Sequence, residues 1–173
     1  MAAILMIIAP ERFRDEELFE TQEELEKAEH KTVIASTALG VRPGSRGGFA
    51  TATLRLAEVC AADYDAVVFV GGGGAKLLYA DPDARRIAQE AAAGGKVLAA
   101  ICLAPVILAN AGVLAGKQAT VAGTEAKTLE QRGATYTGPG VTVDGRIVTA
   151  NAPKASRLFG QKIAALLGEG VTR

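Results

Sequence analysis

The sequence predicts an α/β fold with a mainly parallel sheet and helices on both of its faces. Three observations lead to this prediction. Short, nearly continuous apolar runs such as Ala3–Ala9 are typical of central strands that are covered on both faces. Segments with the spacing of amphipathic helices separate these runs. Strands and helices therefore alternate along the chain, which is characteristic of the α/β class.

Composition limits the functional classes. The chain has 173 residues, a length that predicts one domain spanning 1–173 with a core of its own. Lysine and arginine number 19, as do aspartate and glutamate, so no basic excess points to a nucleic-acid partner. No apolar run approaches the length that spans a bilayer, so no membrane association is predicted. The apolar start of the chain indicates a first strand and not a signal peptide.

The first half of the chain divides into strand, helix, strand and turn. Ala3–Ala9 is the first strand. Asp15–Ala28 is a helix whose acidic first turn suits the helix dipole. Lys31–Ser36 is a second strand, and the glycine-rich segment Gly40–Gly48 is a turn or short hairpin. Ala50–Ala62 is ambiguous, because threonines favour extended structure at its start and Leu54–Cys60 has a helical spacing.

The second half repeats the alternation around one cysteine. Asp65–Val70 is a strand that ends in Gly71–Gly74, and Lys96–Ile101 is the strand that leads to Cys102. The other predicted elements are helices over Lys76–Tyr79, Pro82–Ala93, Ala104–Ala111, Thr124–Arg132 and Pro153–Leu167, and strands over Gln118–Ala122, Val141–Val143 and Arg146–Ala150.

Cys102 lies where a strand passes directly into a helix. Ala100 and Ala104 stand two positions on either side, and small neighbours are what a sharp strand-to-helix turn requires. The position predicts a nucleophile elbow with cysteine in place of serine. At a helix N-terminus the dipole would lower the pKa of the thiol. The alternative is a structural core thiol, since free cysteine is among the most buried residue types.

The ends of three predicted strands are expected to meet, since ligands of open α/β sheets bind beyond the carboxyl ends of the strands. The amide of Leu103 would face an oxyanion on a substrate attacked by Cys102, and a second donor would come from Gly73. The alternative for the glycine run is a flexible turn. A phosphate cradle is a second functional option, but the run lacks the ending of a P-loop, which disfavours a nucleotide site. No cofactor and no metal are predicted.

Cys60 and His30 have no predicted catalytic role. Cys60 follows apolar positions and is predicted to pack in or near the core. His30 precedes a strand and is expected at the amino end of the sheet, away from Cys102. Two cysteines and no export signal predict free thiols in the reducing cytoplasm.

Several segments together resemble the ThiJ/PfpI superfamily, which includes the parkinsonism-associated deglycase and the PfpI-type intracellular proteases. The similarity covers nearly the whole chain. The segments that carry it are Phe13–Leu18, Thr32–Ser36, Tyr64–Gly73, Lys96–Pro105, Ala111–Lys117 and Val143–Thr149.

The resemblance implies a flavodoxin-like three-layer sandwich, usually dimeric, with a reactive elbow cysteine beside a glutamate. By position, Cys102 matches the nucleophile and Glu17 the glutamate, while Gly73 and the Leu103 amide match the oxyanion-hole donors. A carboxyl group next to a thiolate would have a raised pKa and stay protonated. The alternatives are a solvated Glu17 in a helix first turn, or Glu16 in its place.

The chain departs from this family at its histidines. Many members place histidine directly after the cysteine, where Leu103 stands here, and others near the position of Val121. Gly71 also stands where proline is usual. Since His30 is the only histidine, a Cys–His proteolytic mechanism is disfavoured.

The leading hypothesis is an enzyme of glyoxalase or deglycase type that acts on small reactive carbonyls through Cys102 and Glu17, as a homodimer without cofactor. A second hypothesis is a non-enzymatic oxidative-stress sensor or chaperone-like dimer that works by oxidation of Cys102. A third is a hydrolase or hydratase of another small substrate.

Overall fold

A seven-stranded sheet forms the centre of the protein in the computed structural model, which describes residues 1–171. Its strand order is β10-β11-β7-β6-β1-β2-β5, and all neighbours are parallel except β10 and β11. The strands of the chain are β1 (Ala3–Ile7), β2 (Lys31–Ser36), β3 (Gly40–Pro43), β4 (Phe49–Ala52), β5 (Leu54–Arg55), β6 (Ala66–Phe69), β7 (Val97–Ile101), β8 (Gln118–Ala119), β9 (Thr135–Tyr136), β10 (Val141–Asp144) and β11 (Ile147–Ala150).

Helices cover both faces of this sheet. They are α1 (Asp15–Lys27), α2 (Pro82–Ala93), α3 (Pro105–Asn110), α4 (Ala126–Gln131) and α5 (Ser156–Val171). No helix in this part of the chain has the length and apolar character needed to cross a membrane.

Alternate side chains of the central strands enter two separate hydrophobic cores. Leu5 and Ile7 of β1 face the core that contains α2 and α3. Ile4 and Met6 face the core that contains α1 and α5. Because the strands are apolar on both faces, each face can bury against its own helix layer. The predicted three-layer α/β sandwich with a mostly parallel, flavodoxin-like sheet is therefore confirmed.

The structure confirms most of the predicted elements to within two residues. The strand Lys31–Ser36 and the helix Pro82–Ala93 have the predicted bounds. The predicted turn or hairpin at Gly40–Gly48 is an antiparallel hairpin of β3 and β4, whose tip comprises residues 44–48.

Two predictions are wrong in detail, and one segment that was left open is now defined. The strand predicted over Gln118–Ala122 is only β8, which pairs with β9 outside the main sheet. The chain turns away after it, and the Ala122 amide donates to the Cys102 carbonyl at 2.7 Å. The ambiguous segment after Ala50 contains the end of β4, then β5 and two 3-10 turns. Cys60, predicted near the core, is exposed between those turns.

Candidate functional site

Three neighbouring strands bring the predicted site together. β7, β6 and β1 are adjacent in the sheet, so the segments that follow them emerge side by side at its carboxyl edge. Cys102 follows β7, Gly71–Gly74 follow β6, and the segment after β1 leads into the first turn of α1 with Glu17. These segments also bond directly, since the Arg14 amide donates to the Gly71 carbonyl at 2.9 Å.

Cys102 occupies a strained elbow. Its φ of 63° lies in the left-handed region, which costs a non-glycine residue about 1–2 kcal/mol. The backbone is held on both sides: the Cys102 amide donates to Ala150 at 2.8 Å, and its carbonyl accepts from Ala122. Ala100 and Ala104 are fully buried beside it, where a larger side chain would collide. The fold thus fixes an unfavourable backbone conformation in order to present this thiol.

Glu17 is a fully buried carboxyl group, and neither of its oxygens forms a hydrogen bond of normal geometry among the described residues, although the Cys102 thiol and the Gly71 amide lie close to it. Burial raises its pKa to about 8, against opposing effects of the Cys102 thiol and the Gly71 amide. Glu17 is therefore mostly protonated at neutral pH. Glu16, the alternative, points elsewhere and forms an ion pair of 2.9 Å with Arg14. Of the two glutamates, the structure brings Glu17 to the cysteine.

The thiol of Cys102 does not have the lowered pKa that its position before a helix predicted. Burial, followed by repulsion from the Glu17 carboxylate, raises its pKa to about 12, although the amides of Leu103 and Gly72 act in the opposite direction. α3 has only six residues, so its end contributes little against this desolvation. Because the pKa of Glu17 is lower than that of Cys102, loss of the first proton leaves the charge mainly on Glu17.

Gly71 is a site residue that the sequence pattern did not single out. A Cβ atom built there would collide with the Ile101 carbonyl oxygen and lie 2.5 Å from Oε1 of Glu17 and 2.9 Å from Cβ of Cys102. In this chain the carboxyl group and the cysteine therefore pack directly against the Gly71 backbone, and a side chain there would force them to shift. The substitution of glycine for the family's usual proline was the one signal in the sequence that could have found it.

The proposed oxyanion donors line the same cavity as Cys102. This cavity has a volume of about 350 Å³, and Gly72, Gly73 and Leu103 form part of its wall. A Cβ atom on Gly73 would meet nothing within 4 Å, so this glycine borders open space. The Gly72 amide, at a residue with φ of 105°, acts with the Leu103 amide to lower the pKa of the Cys102 thiol, against the larger effect of burial. Gly72 was not among the predicted donors.

Two arginines are among the residues that form the rest of the cavity wall. Arg14, Ser45, Arg46 and Pro153 complete the lining of the cavity. Arg14 is engaged by Glu16, whereas the Arg46 side chain is exposed and has no ion pair or hydrogen bond among residues 1–171. The charge of Arg46 nevertheless acts on Glu16, whose pKa is lowered by the hydrogen bond from Arg14 and also by Arg46.

No histidine reaches this site. His30 lies at the amino end of the sheet, as predicted, and its Nδ1 accepts a hydrogen bond from the Ala2 amide at 3.0 Å. Leu103 is half-buried and Val121 is fully buried in the core. A Cys–His dyad cannot form within the chain. No cluster of three metal-ligating side chains exists within the described residues either.

Comparison with known proteins agrees with this geometry. The model of the DJ-1/PfpI family matches residues 2–166. The chain belongs to the DJ-1/PfpI family. The deglycase PfpI of Pyrococcus furiosus is 30% identical over 86% of this chain and 90% of its own length. An uncharacterized protein of Methanocaldococcus jannaschii is 42% identical over 94% of this chain and 80% of its own.

A solved structure of another DJ-1/PfpI relative has the same fold. The crystal structure of a ThiJ/PfpI domain protein from Brachyspira murdochii superposes with a TM-score of 0.94, at 34% identity and over 96% of both chains. The family assignment made from segments along nearly the whole chain, Cys102 among them, is therefore confirmed.

Proposed function

We propose that the protein is a cysteine-dependent enzyme of glyoxalase or deglycase type, with Cys102 as nucleophile and Glu17 as proton-transfer partner. Its substrates are small reactive carbonyl compounds. The observation that carries the proposal is the Glu17 carboxyl group, fully buried and without a hydrogen bond of normal geometry among the described residues, beside the elbow cysteine. Leaving such a group without a partner costs about 1–3 kcal/mol, so a functional use is the natural reason to retain it.

The pair of Glu17 and Cys102 supplies both the nucleophile and the acid. When the pair has lost one proton, Glu17 as carboxylate can take the thiol proton while the sulfur attacks the aldehyde carbon. The protonated Glu17 then gives that proton to the carbonyl oxygen, and the adduct is a hemithioacetal. The amides of Leu103 and either Gly72 or Gly73 would stabilise the developing oxyanion.

Completion of the reaction needs no external oxidant or reductant. With a 2-oxoaldehyde, moving the proton of the former aldehyde carbon to its neighbour, through Glu17, converts the adduct to a thioester. Water then hydrolyses the thioester, which releases a 2-hydroxy acid and regenerates the thiol. The sum is addition of one water to the 2-oxoaldehyde.

The test is the release of lactate from methylglyoxal. We expect the wild type to form lactate well above the buffer rate and Cys102→Ser to fall to that rate, while Cys60→Ser, altered at the exposed cysteine, serves as the matched control. Equal rates for wild type and Cys102→Ser would refute the proposal.

A second candidate function is redox sensing, which the same donors favour. A sulfinate on Cys102 would accept hydrogen bonds from protonated Glu17 and from the Leu103 and Gly72 amides, and it needs no histidine. Mild peroxide followed by intact-mass measurement tests this function. A gain of two oxygens on Cys102 and not on Cys60 supports it, and equal oxidation of both cysteines counts against it.

We further propose that the protein is a homodimer in the cytoplasm. The β3–β4 hairpin supports the dimer, because Val41 and Phe49 on its outer face are 57% and 66% exposed and a second copy would cover them. Light scattering after gel filtration should give twice the monomer mass for the wild type and a lower mass for Phe49→Asp. A monomeric wild type would contradict the dimer.

A further inference from the structure

One carboxylate outside the proposed catalytic pair holds a loop over the cavity. Asp15, the first residue of α1, is only 8% exposed. Its Oδ1 accepts from the Arg46 amide at 3.0 Å and its Oδ2 from the Gly48 amide at 2.8 Å. Both amides belong to the tip of the β3–β4 hairpin, residues 44–48. Asp15 thus uses each oxygen to bind the backbone of a distant loop.

The loop is shaped to fit this carboxylate. A Cβ atom on Gly48 would lie 2.6 Å from Oδ2 of Asp15, and one on Gly44 would also collide with the Asp15 carboxyl group. The loop also contacts the segment before α1, since the Ser45 amide donates to the Phe13 carbonyl at 2.8 Å. The glycines permit an approach that ordinary residues would prevent.

The consequence for the site is that Ser45 and Arg46 become a wall of the cavity that contains Cys102. Asp15 stands two residues before Glu17 in the same helical turn. One turn of α1 therefore presents the carboxyl partner of the cysteine and anchors the opposite wall. The exposed side chain of Arg46, a lining residue, has no hydrogen bond or ion pair among the described residues. The guanidinium of Arg14 is bound to Glu16, although its charge also acts on Cys102.

We propose that Asp15 is a positioning residue that holds the 44–48 loop against the cavity, so that Arg46 favours electrophiles that carry an anionic group. The inference rests on the proposed function only in taking Cys102 as the reactive group. Its tests measure loop opening and thiol alkylation, not turnover. They can therefore succeed or fail independently of lactate formation.

Trypsin measures the holding of the loop. Arg42 precedes proline, so Arg46 is the one efficient tryptic site between residues 40 and 48. Asp15→Asn keeps the shape of the side chain. Its NH₂ group would face one of the two backbone amides, and two donors cannot form a hydrogen bond with each other.

The variants are compared at a concentration where light scattering gives them the same mass, because the β3–β4 hairpin is also the proposed dimer contact. We expect cleavage after Arg46 to become at least about tenfold faster in Asp15→Asn, because two charge-assisted hydrogen bonds are weakened. Glu23→Gln, an equal change of charge on an exposed residue of α1, should leave the rate unchanged.

Alkylation of Cys102 measures whether the cavity prefers anionic over neutral electrophiles. In a Cys60→Ser background, the rate ratio of anionic iodoacetate to neutral iodoacetamide reports the charge that faces Cys102. We expect this ratio to fall several-fold in Arg46→Gln and in Asp15→Asn. Removing the Asp15 charge would by itself raise the ratio, so a fall in Asp15→Asn can only come from displacement of Arg46.

Gly48→Ala provides a second way to release the loop, with Asp15 intact. Its added methyl group would meet Oδ2 of Asp15, and it should reproduce both faster cleavage and a lower ratio if Asp15→Asn folds poorly. Wild-type cleavage rates in both variants would overturn the holding role. An unchanged or higher alkylation ratio in Asp15→Asn, or an unchanged ratio in Arg46→Gln, would overturn the selectivity.

Discussion

The two cysteines of this chain have similar sequence neighbours and opposite surroundings. Cys60 follows a valine and precedes two alanines, and Cys102 follows an isoleucine and precedes Leu103 and an alanine. Cys60 has an ordinary extended backbone, with φ of −113°, and is exposed. Cys102 has φ of 63° and lies beside a buried carboxyl group. The surroundings of each cysteine thus depend on where the fold places it, not on the local apolar pattern.

Replacing each cysteine by serine should give the largest difference in methylglyoxal turnover between the Cys102 and Cys60 regions. Cys102→Ser should reduce methylglyoxal turnover to the buffer rate, because the nucleophile is lost. Cys60→Ser should keep the wild-type rate, measured as lactate formed per enzyme. A matching loss in Cys60→Ser would show that the site extends beyond the cavity.

Glu17→Gln should separate turnover from thiol reactivity. Removing a proton-transfer group should reduce turnover by about 10²–10⁴-fold. Alkylation of Cys102 by iodoacetamide at pH 9 should become faster, by up to about tenfold for each unit that the thiol pKa falls, because the repelling carboxylate is gone. Cys60 in the same protein is the internal control. Slower alkylation of Cys102 would indicate that Glu17 activates the thiol instead of restraining it.

Stability should depend on pH through Glu17. The folded protein holds the Glu17 proton up to a pKa of about 8, whereas the unfolded chain releases it near 4.5. The folded state therefore binds more protons between these values, and its stability should fall as the pH rises, by about 1.4 kcal/mol per pH unit relative to Glu17→Gln. Urea unfolding at pH 5, 6, 7 and 8 measures this slope. Parallel curves for the two proteins would contradict the burial of an ionisable Glu17.

Gly71→Ala should lower the stability of the fold by a smaller amount than full ionisation of Glu17 does. Its methyl group would be forced against Glu17, Cys102 and the carbonyl of Ile101, and overpacking of this kind costs about 1–3 kcal/mol. Gly123→Ala, where an added Cβ meets nothing within 4 Å, is the control and should be nearly neutral. Thermal unfolding of both variants gives the comparison. Equal melting temperatures would mean that the site can expand around Gly71.

The sequence predicted the features that depend on local pattern. Lys31–Ser36 and Pro82–Ala93 follow from periodicity and from their ends, and the turn at Cys102 follows from the change of period and its small neighbours. It could not predict the raised pKa of Cys102 or the exposure of Cys60. Both depend on which distant segments pack there, and the desolvation of Cys102 comes from the neighbouring ends of β1 and β6.

The same limit applies to the loop held by Asp15. An acidic residue in a helix first turn is adequately explained by the helix dipole. Only the folded structure shows that its two oxygens bind Arg46 and Gly48, more than 30 positions away along the chain.

Glu17 should stay protonated near neutral pH beside Cys102. Carbon-13 NMR of the side-chain carboxyl carbon, assigned by comparison with Glu17→Gln, follows its titration directly. We expect the Glu17 carboxyl group to titrate with an apparent pKa of about 8, well above the pKa values of solvated glutamates. Titration of Glu17 near 4.5, together with the surface carboxylates, would contradict this expectation.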